Sequence, residues 1–234
     1  MKLFAERTFR IDTENALKIA PHIARVEREI GAVVKLNLGE PDFAVPLHIK
    51  DEIKRQLDLD NTHYCDPQGL LTLRQAIAKQ VSATRGLDIS PERVVVFPGG
   101  KPPIGLVQQV YCSPGNEVIY PSPGFPIYES FIRYVEGVPV PLHLDESSNF
   151  TFTSDQLLEL ITPLTKLIFL NFPSNPTGGV ASSEQLEAIA TVIRNHCPAE
   201  VRVYSDEIYE NIIFDGRIHR SIASLVGMES RTII

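Results

Sequence analysis

An amide, a carboxylate and a phenol lie close to the ends of two strongly apolar segments of the chain. Asn175, in the sequence Asn-Pro-Thr-Gly, follows the apolar run Leu167–Leu170, and both Asp206 and Tyr209 follow the run Val201–Tyr204. A carboxylate buried at a strand end needs a partner, because an unpaired charge is costly to remove from water. The protonated nitrogen of a flat aromatic ring would be such a partner for Asp206. Asn175 and Tyr209 could then donate hydrogen bonds to an oxygen on the same ring.

A third loop carries two glycines and a lysine. The run Val94–Phe97 predicts a strand, and a helix is predicted from about Ile104. Between them, Gly99 and Gly100 would let the backbone approach a ligand closely. The positive end of the helix, with Lys101 beside it, would favour a phosphate group. The sequence lacks the spacing of a nucleotide-binding P-loop, which requires a glycine five residues before Gly100 and a hydroxyl residue after Lys101.

Each of these motifs also has a simpler structural explanation. The glycine loop could be a tight turn between a strand and a helix. Asn-Pro-Thr-Gly is a common turn sequence, and the segment from Asp206 to Tyr209 could be a helix cap with a packed aromatic side chain. Ligands of open parallel sheets bind beyond the carboxyl ends of the strands, and all three loops have that position. Their convergence therefore favours a ligand site over three unrelated turns.

The elements that would hold these loops alternate between strands and helices. Further β-rich runs are predicted at Val118–Tyr120 and Val138–Leu144, and Thr232–Ile234 begins another strand. Helical spacing of apolar residues is found in Ala16–Ile30 (with Pro21 at its start or at a kink), Ile49–Leu57 and Leu71–Val81. Thr153 with Gln156 and Ser182 with Gln185 predict two capping boxes at helix starts. The predicted fold class is α/β, with a mainly parallel sheet flanked by helices.

Composition excludes several classes of function. The chain has 234 residues, of which 43% are hydrophobic and 22% charged, and its net charge of −7 argues against nucleic-acid and anionic-membrane surfaces. No apolar run is long enough to span a bilayer, and no signal peptide is recognised. The three cysteines fit neither a disulfide framework nor a zinc site, and no metal site is predicted. We therefore expect reduced thiols and a cytoplasmic protein.

Eight motifs, in their order and spacing, give the chain a specific resemblance. It resembles the class I and II aminotransferases, the fold-type-I enzymes that depend on pyridoxal 5′-phosphate. The motifs are Leu38–Phe43, Tyr64–Gly69, Leu73–Arg74, Phe97–Lys101, Pro114–Ile119, Pro121–Pro126, Asn175–Gly178 and Ser205–Tyr209. The resemblance implies that residues 1–45 are an N-terminal helix and segment of the small domain. It implies that residues 46–234 are the cofactor-binding large domain, incomplete at its C-terminal end.

The resemblance assigns four residues to the ring of the cofactor. Asp206 would pair with the pyridine nitrogen, and Asn175 and Tyr209 would hold the ring oxygen. Phe125 would stack on the ring, although packing in the core is an alternative for this side chain.

Four further residues are assigned to the phosphate and the substrate. Gly100 and Lys101 would hold the cofactor phosphate. Tyr64 would reach the phosphate of the other subunit, which implies a homodimer, with a surface loop aromatic as the alternative. Gly39 lies where the backbone of the family approaches the substrate.

The implied activity is transfer of an amino group from an amino acid to a 2-oxo acid, in amino-acid metabolism. In the family, the Schiff-base lysine follows a further strand, and the arginine that binds the substrate carboxylate lies near the C-terminus. Both are expected beyond Ile234, so no catalytic residue is assigned and the chain is expected to be an N-terminal portion that is inactive alone. The same scaffold also serves β-lyases and aminocyclopropane-carboxylate synthases. A further alternative is a non-catalytic module that binds pyridoxal phosphate or pairs with a full-length subunit.

Overall fold

A five-stranded parallel sheet forms the centre of the molecule. The computed structural model describes residues 3–11 and 15–234. The strands are β1 (Glu117–Ser122), β2 (Val138–His143), β3 (Thr165–Asn171), β4 (Arg202–Asp206) and β5 (Thr232–Ile233). Their order across the sheet is β2-β1-β3-β4-β5, and every pairing is parallel. The predicted α/β class with a parallel sheet is confirmed.

In the described part of the chain, eight α-helices precede, connect or flank these strands. They are α1 (Asn15–Lys18), α2 (Ala20–Ile30), α3 (Leu47–Asp58), α4 (Leu71–Arg85), α5 (Lys101–Tyr111), α6 (Ile127–Tyr134), α7 (Ser154–Leu160) and α8 (Ser183–His196). Both predicted capping boxes are present, at the starts of α7 and α8. The helix predicted over Ala16–Ile30 is interrupted at Ile19, and Pro21 lies in the first turn of α2, which begins at Ala20.

The two faces of the sheet pack against different helices. Along β3, Leu167 and Phe169 belong to a core cluster with side chains of α5 and α6. Ile168 and Leu170 point to the other face and belong to a larger cluster with side chains of α7 and α8. Because both faces are covered, the strand reads as one continuous apolar run. The core on the α5 and α6 face supports the candidate site.

Two predictions around the glycine loop differ from the structure. Val94–Phe97 is not a strand: Val94 has extended dihedral angles, but the Val96 N–H donates to the Gln68 carbonyl, 2.8 Å away, instead of joining the ladder of the sheet. The helix predicted from about Ile104 begins three residues earlier, at Lys101. Pro102 and Pro103 fit this earlier start, because a first helical turn needs no N–H from them.

The N-terminal part of the chain exposes many apolar side chains. Leu3, Phe4, Phe9, Leu36 and Phe43 are each more than half exposed. The predicted domain boundary at residue 45 stays a prediction, and residues 1–2 and 12–14 of the first segment lie outside the described residues.

Within residues 3–11 and 15–234, every helix is too short or too polar to cross a bilayer. The three cysteines are free.

Candidate functional site

The ends of β3 and β4 are joined by one asparagine. Asn171, the last residue of β3, lies opposite Asp206, the last residue of β4. The Asn171 side-chain amide donates to the Asp206 carbonyl oxygen, 2.9 Å away, and its Oδ1 accepts from the backbone N–H of Asn175 at 2.7 Å. Asn171 therefore fixes the loop of Asn175 relative to Asp206. We predicted no role for it, although its position at the end of the apolar run was a usable signal.

A buried tyrosine holds the carboxylate of Asp206. The Tyr128 hydroxyl, from the first turn of α6, donates to Asp206 Oδ2 at 2.6 Å. The Tyr128 ring is stacked on Phe169 of β3, with ring centroids 4.7 Å apart. Burial, and then the negative charge of Asp206, raises the pKa of Tyr128 well above its ordinary value, so the hydroxyl stays a donor. The sequence prediction missed Tyr128; its one signal was an aromatic side chain three residues after Phe125.

The first turn of α5 offers backbone donors to an anion. Gly100 is the residue before the helix, and no side chain caps this end. A Cβ atom added at Gly100 would meet nothing within 4 Å, so the space beside this residue is open. Gly99 has a φ of +91°, a backbone conformation that favours glycine. Lys101 lies at the first helical position, with its Nζ 5.8 Å from the centroid of the Phe125 ring. Because Pro102 and Pro103 have no N–H, the backbone donors at this helix start are Gly100 and Lys101, and with the Lys101 side chain they suit a phosphate.

Six of the eight predicted site residues line one cavity. This cavity has a volume of about 510 Å³. The six residues are Gly100, Lys101, Phe125, Asn175, Asp206 and Tyr209. Phe125 is half-buried at its wall, edge-on to Tyr128 with ring centroids 5.8 Å apart. The side chain thus both packs against the core and faces the cavity.

The other two predicted residues lie elsewhere. Tyr64 is fully exposed on the surface. Gly39 is also exposed, and a Cβ atom added there would meet nothing within 4 Å. Neither lines the cavity, so their predicted roles toward a second subunit and toward the substrate stay predictions.

A buried ionic cluster adjoins the cavity. The Glu207 carboxylate accepts hydrogen bonds from the hydroxyls of Ser205 at 2.8 Å and Ser221 at 2.5 Å. Its other oxygen lies 2.7 Å from Arg85 Nη2 and 3.0 Å from His219 Nε2. Burial alone would raise the pKa of Glu207, but the hydrogen bonds from His219, Ser221 and Ser205 outweigh it and lower the pKa to about 2. The glutamate is therefore a carboxylate at neutral pH.

Glu207, Glu210 and His219 bring three potential metal ligands within 4.8 Å of one another. The positive charge between the two carboxylates is the guanidinium of Arg85. Its Nη2 lies 2.7 Å from Glu207 Oε2 and 2.5 Å from Glu210 Oε2. The side chains of Arg85 and Glu207 are 5% and 4% exposed. The arrangement is thus a buried ion pair with a second, partly exposed carboxylate.

The free energy of unfolding is expected to fall in acid because of Glu207. Its folded-state pKa of about 2 lies below the ordinary value of 4.5, so between these values the unfolded chain binds more protons. The contribution of Glu207 is therefore complete above about pH 5 and is lost as the pH falls toward 2, with a size of the order of 3 kcal/mol.

Urea denaturation at pH 6 and pH 3 measures this effect. The loss of stability between the two pH values should be smaller in Glu207→Gln than in the unaltered protein. An equal loss in both proteins would contradict the prediction, since the acid sensitivity would then come from other carboxylates.

Similarity to known proteins identifies the family. The family model for aminotransferase class I and II matches residues 32–234. The chain belongs to this family. The aspartate aminotransferase of Geobacillus stearothermophilus is 35% identical over 235 residues, covering 100% of this chain and 59% of the relative. The aromatic-amino-acid aminotransferase 2 of Thermococcus litoralis is 36% identical over 205 residues, covering 87% of this chain and 52% of the relative.

Solved aminotransferase structures share the fold. The aspartate aminotransferase from Thermus thermophilus with maleate superposes with a TM-score of 0.92 at 31% identity, covering 99% of this chain and 59% of that one. The aspartate aminotransferase from Rhizobium meliloti also gives a TM-score of 0.92 at 31% identity. The fold-type-I prediction is therefore confirmed. The chain spans between half and three-fifths of the length of these aminotransferases, which agrees with a partial chain.

The residues at the cavity fit the cofactor of the aminotransferase family, pyridoxal 5′-phosphate. Asp206 supplies an acceptor for a ring N–H, and its carboxylate is already oriented by a buried donor. Asn175 and Tyr209 supply an amide and a hydroxyl on the wall of the same cavity. The open space above Gly100 and the uncapped start of α5 suit a phosphate. The set of donors and acceptors thus covers the ring nitrogen, the ring oxygen and the phosphate of the cofactor.

Proposed function

We propose that this chain is the N-terminal portion of a pyridoxal-phosphate-dependent aminotransferase, which moves an amino group from an amino acid to a 2-oxo acid. The observation that carries the proposal is the joint placement of Asp206, Asn175 and Tyr209. Asn171 links the first two through a side-chain and a backbone hydrogen bond, and all three line a cavity with the first turn of α5. The groups proposed to bind the ring and those proposed to bind the phosphate thus line one cavity.

When bound, pyridoxal phosphate supplies an electron sink for chemistry at the amino-acid α-carbon. The Asp206 carboxylate would hold a proton on the ring nitrogen, because a nearby negative charge favours the protonated form. Tyr128 would keep that carboxylate directed at the ring. Asn175 and Tyr209 would donate to the ring oxygen.

The other three predicted site residues that line the cavity would position the cofactor. Gly100 and Lys101 would bind the phosphate through backbone N–H groups and a positive charge. Phe125 would lie against the ring and exclude water from one side of it. These contacts orient a reactive group rather than react themselves, so they support the reaction of a complete enzyme.

The finer parts of the proposal concern domains, assembly and location. We assign residues 1–45 to the small domain and 46–234 to the large domain. The exposed Tyr64 and the exposed apolar side chains of the first segment support a homodimer in the full-length form, in which Tyr64 reaches the cofactor phosphate of the other subunit. Gly39 would then contact the substrate. Free cysteines and the acidic composition support a cytoplasmic role in amino-acid metabolism.

Reductive trapping tests the proposed function. The protein is isolated from its native source, incubated with pyridoxal phosphate, reduced with borohydride and analysed by intact mass and peptide mapping. Reduction makes any bond between the cofactor aldehyde and a lysine permanent. We expect one adduct, on one lysine outside the 234 residues, in a polypeptide heavier than 26.1 kDa. A mass of 26.1 kDa with no site-specific adduct would overturn the aminotransferase proposal and favour a non-catalytic module.

A further inference from the structure

We propose that Arg85, with Glu207 and Glu210, acts as a positioning device that fixes Asp206 and Tyr209 for the cofactor. The inference rests on the proposed function, because it assigns Arg85 and Glu207 a role toward that same site. None of the three residues was assigned to the site from the sequence. All three line the same cavity as Asp206 and Tyr209, and the two glutamates are the chain neighbours of these residues.

Arg85 binds the chain on both sides of Tyr209. Its Nη2 is 2.7 Å from Glu207, which follows Asp206 directly, and 2.5 Å from Glu210, which follows Tyr209 directly. A backbone held at positions 207 and 210 leaves little freedom to the residues between and beside them. Arg85 is the last residue of α4, so the device ties a helix end to the segment that follows β4.

Glu207 is fixed from several directions. Side chains two residues apart in an extended segment share a face, and the Ser205 hydroxyl accordingly donates to Glu207. Asp206, which lies between them in the chain, points to the other face and contacts Tyr128. Ser221, 14 residues farther along the chain, donates to the same carboxylate oxygen. The Glu207 carboxylate thus uses both oxygens, and its position sets the direction in which the Asp206 side chain leaves the backbone.

A buried ion pair is not an efficient way to stabilise a fold. Removing two charges from water costs about as much as their attraction returns, and apolar residues of similar volume often stabilise as well or better. Such a pair instead fixes a geometry, because the guanidinium binds carboxylates only in defined directions. Asp206 and Tyr209 need such a fixed geometry to bind the cofactor ring.

Pyridoxamine 5′-phosphate labelled with ¹⁵N in its ring tests the inference, because its binding needs no lysine aldehyde bond. Calorimetry measures its affinity, and the ¹⁵N chemical shift reports whether the ring nitrogen is protonated. The double variant Arg85→Gln/Glu207→Gln removes the pair without changing net charge. We expect affinity to fall at least tenfold and the protonated fraction of the ring nitrogen to fall at pH 8.

The matched control is Arg93→Gln/Glu229→Gln. It makes the same chemical changes in an ion pair of the same 2.7 Å length whose side chains are 46% and 44% exposed. We expect the affinity of this control for the probe to stay within twofold of the unaltered protein, because an exposed pair contributes little. The ¹⁵N shift of the bound probe should be unchanged. A comparable loss in this control would overturn the inference, since the effect would not be specific to the buried pair.

The remaining outcomes separate the inference from the proposed function. If the unaltered protein does not bind the probe, both are overturned. If it binds with a protonated ring and the Arg85 and Glu207 double variant does the same, only the positioning role is overturned. If that double variant does not fold, Ser221→Ala decides; it removes one hydrogen bond to Glu207 and the side-chain acceptor of the Ala223 N–H at the start of a short helix. A several-fold weaker affinity supports the role, and unaltered affinity or unfolding overturns it.

Discussion

Asp206→Asn is expected to weaken binding of pyridoxamine 5′-phosphate about 10- to 100-fold. A hydrogen bond to a charged group contributes about 1.5–3 kcal/mol, and each 1.4 kcal/mol is a factor of ten in affinity. Asparagine keeps the shape of the side chain but removes the charge that would hold the proton on the ring nitrogen. The Asp206 carboxylate is the acceptor of the buried Tyr128 hydroxyl, so it is held in place before the cofactor arrives.

Isothermal titration calorimetry at pH 8 measures this change. Asp88→Asn is the control, because Asp88 is an exposed carboxylate in a loop and its replacement makes the same change in net charge. We expect the control to bind with unaltered affinity. Equal affinities for the unaltered protein and Asp206→Asn would contradict the assignment of Asp206 to the ring nitrogen.

Phe169→Ala is expected to lower the free energy of unfolding by about 3–5 kcal/mol, the cost of truncating a buried aromatic side chain. Phe169 is fully buried in the central strand β3. Its ring centroid lies 4.7 Å from that of Tyr128 and 5.1 Å from that of Tyr204. The loss is a large share of a typical total of about 5–15 kcal/mol, so the variant should be close to unfolding. Because Tyr128 packs on this ring, the donor to Asp206 should also lose its fixed position.

Urea denaturation followed by circular dichroism measures the stability of this variant. Phe214→Ala is the matched control, because it makes the same truncation at a side chain that is 75% exposed. Its unfolding midpoint should stay close to that of the unaltered protein. A midpoint of Phe169→Ala equal to that of Phe214→Ala would mean that the packing between β3 and α6 does not have the assigned role.

Local sequence signals predicted much of the fold. The apolar run Leu167–Leu170 predicted a buried strand because both of its faces are covered, so no polar side chain interrupts it. The capping boxes at Thr153 and Ser182 predicted helix starts from two side chains three residues apart. Val94–Phe97 misled the prediction, because an extended apolar segment becomes a strand only where another strand accepts its hydrogen bonds. Here Val96 donates to Gln68 in a loop.

The support of the site depends on contacts between distant parts of the chain. Tyr128 is 78 residues from Asp206, and Arg85 is 122 residues from Glu207. No local pattern marks such a pair, since an arginine at a helix end is ordinary on a solvated surface. Asn171 was the exception, because its place at the end of a strand was visible in the sequence. The groups predicted to face the cofactor were therefore found from motifs, and the groups that hold them in place only from the structure.

A crystal structure of the protein grown with saturating pyridoxamine 5′-phosphate tests the central claim most directly. We expect the ring nitrogen within hydrogen-bond distance of the Asp206 carboxylate, the ring oxygen beside Asn175 and Tyr209, and the phosphate at Gly100 and Lys101. Absence of the molecule from this cavity at saturating concentration, or its binding with the ring nitrogen turned away from Asp206, would contradict the account.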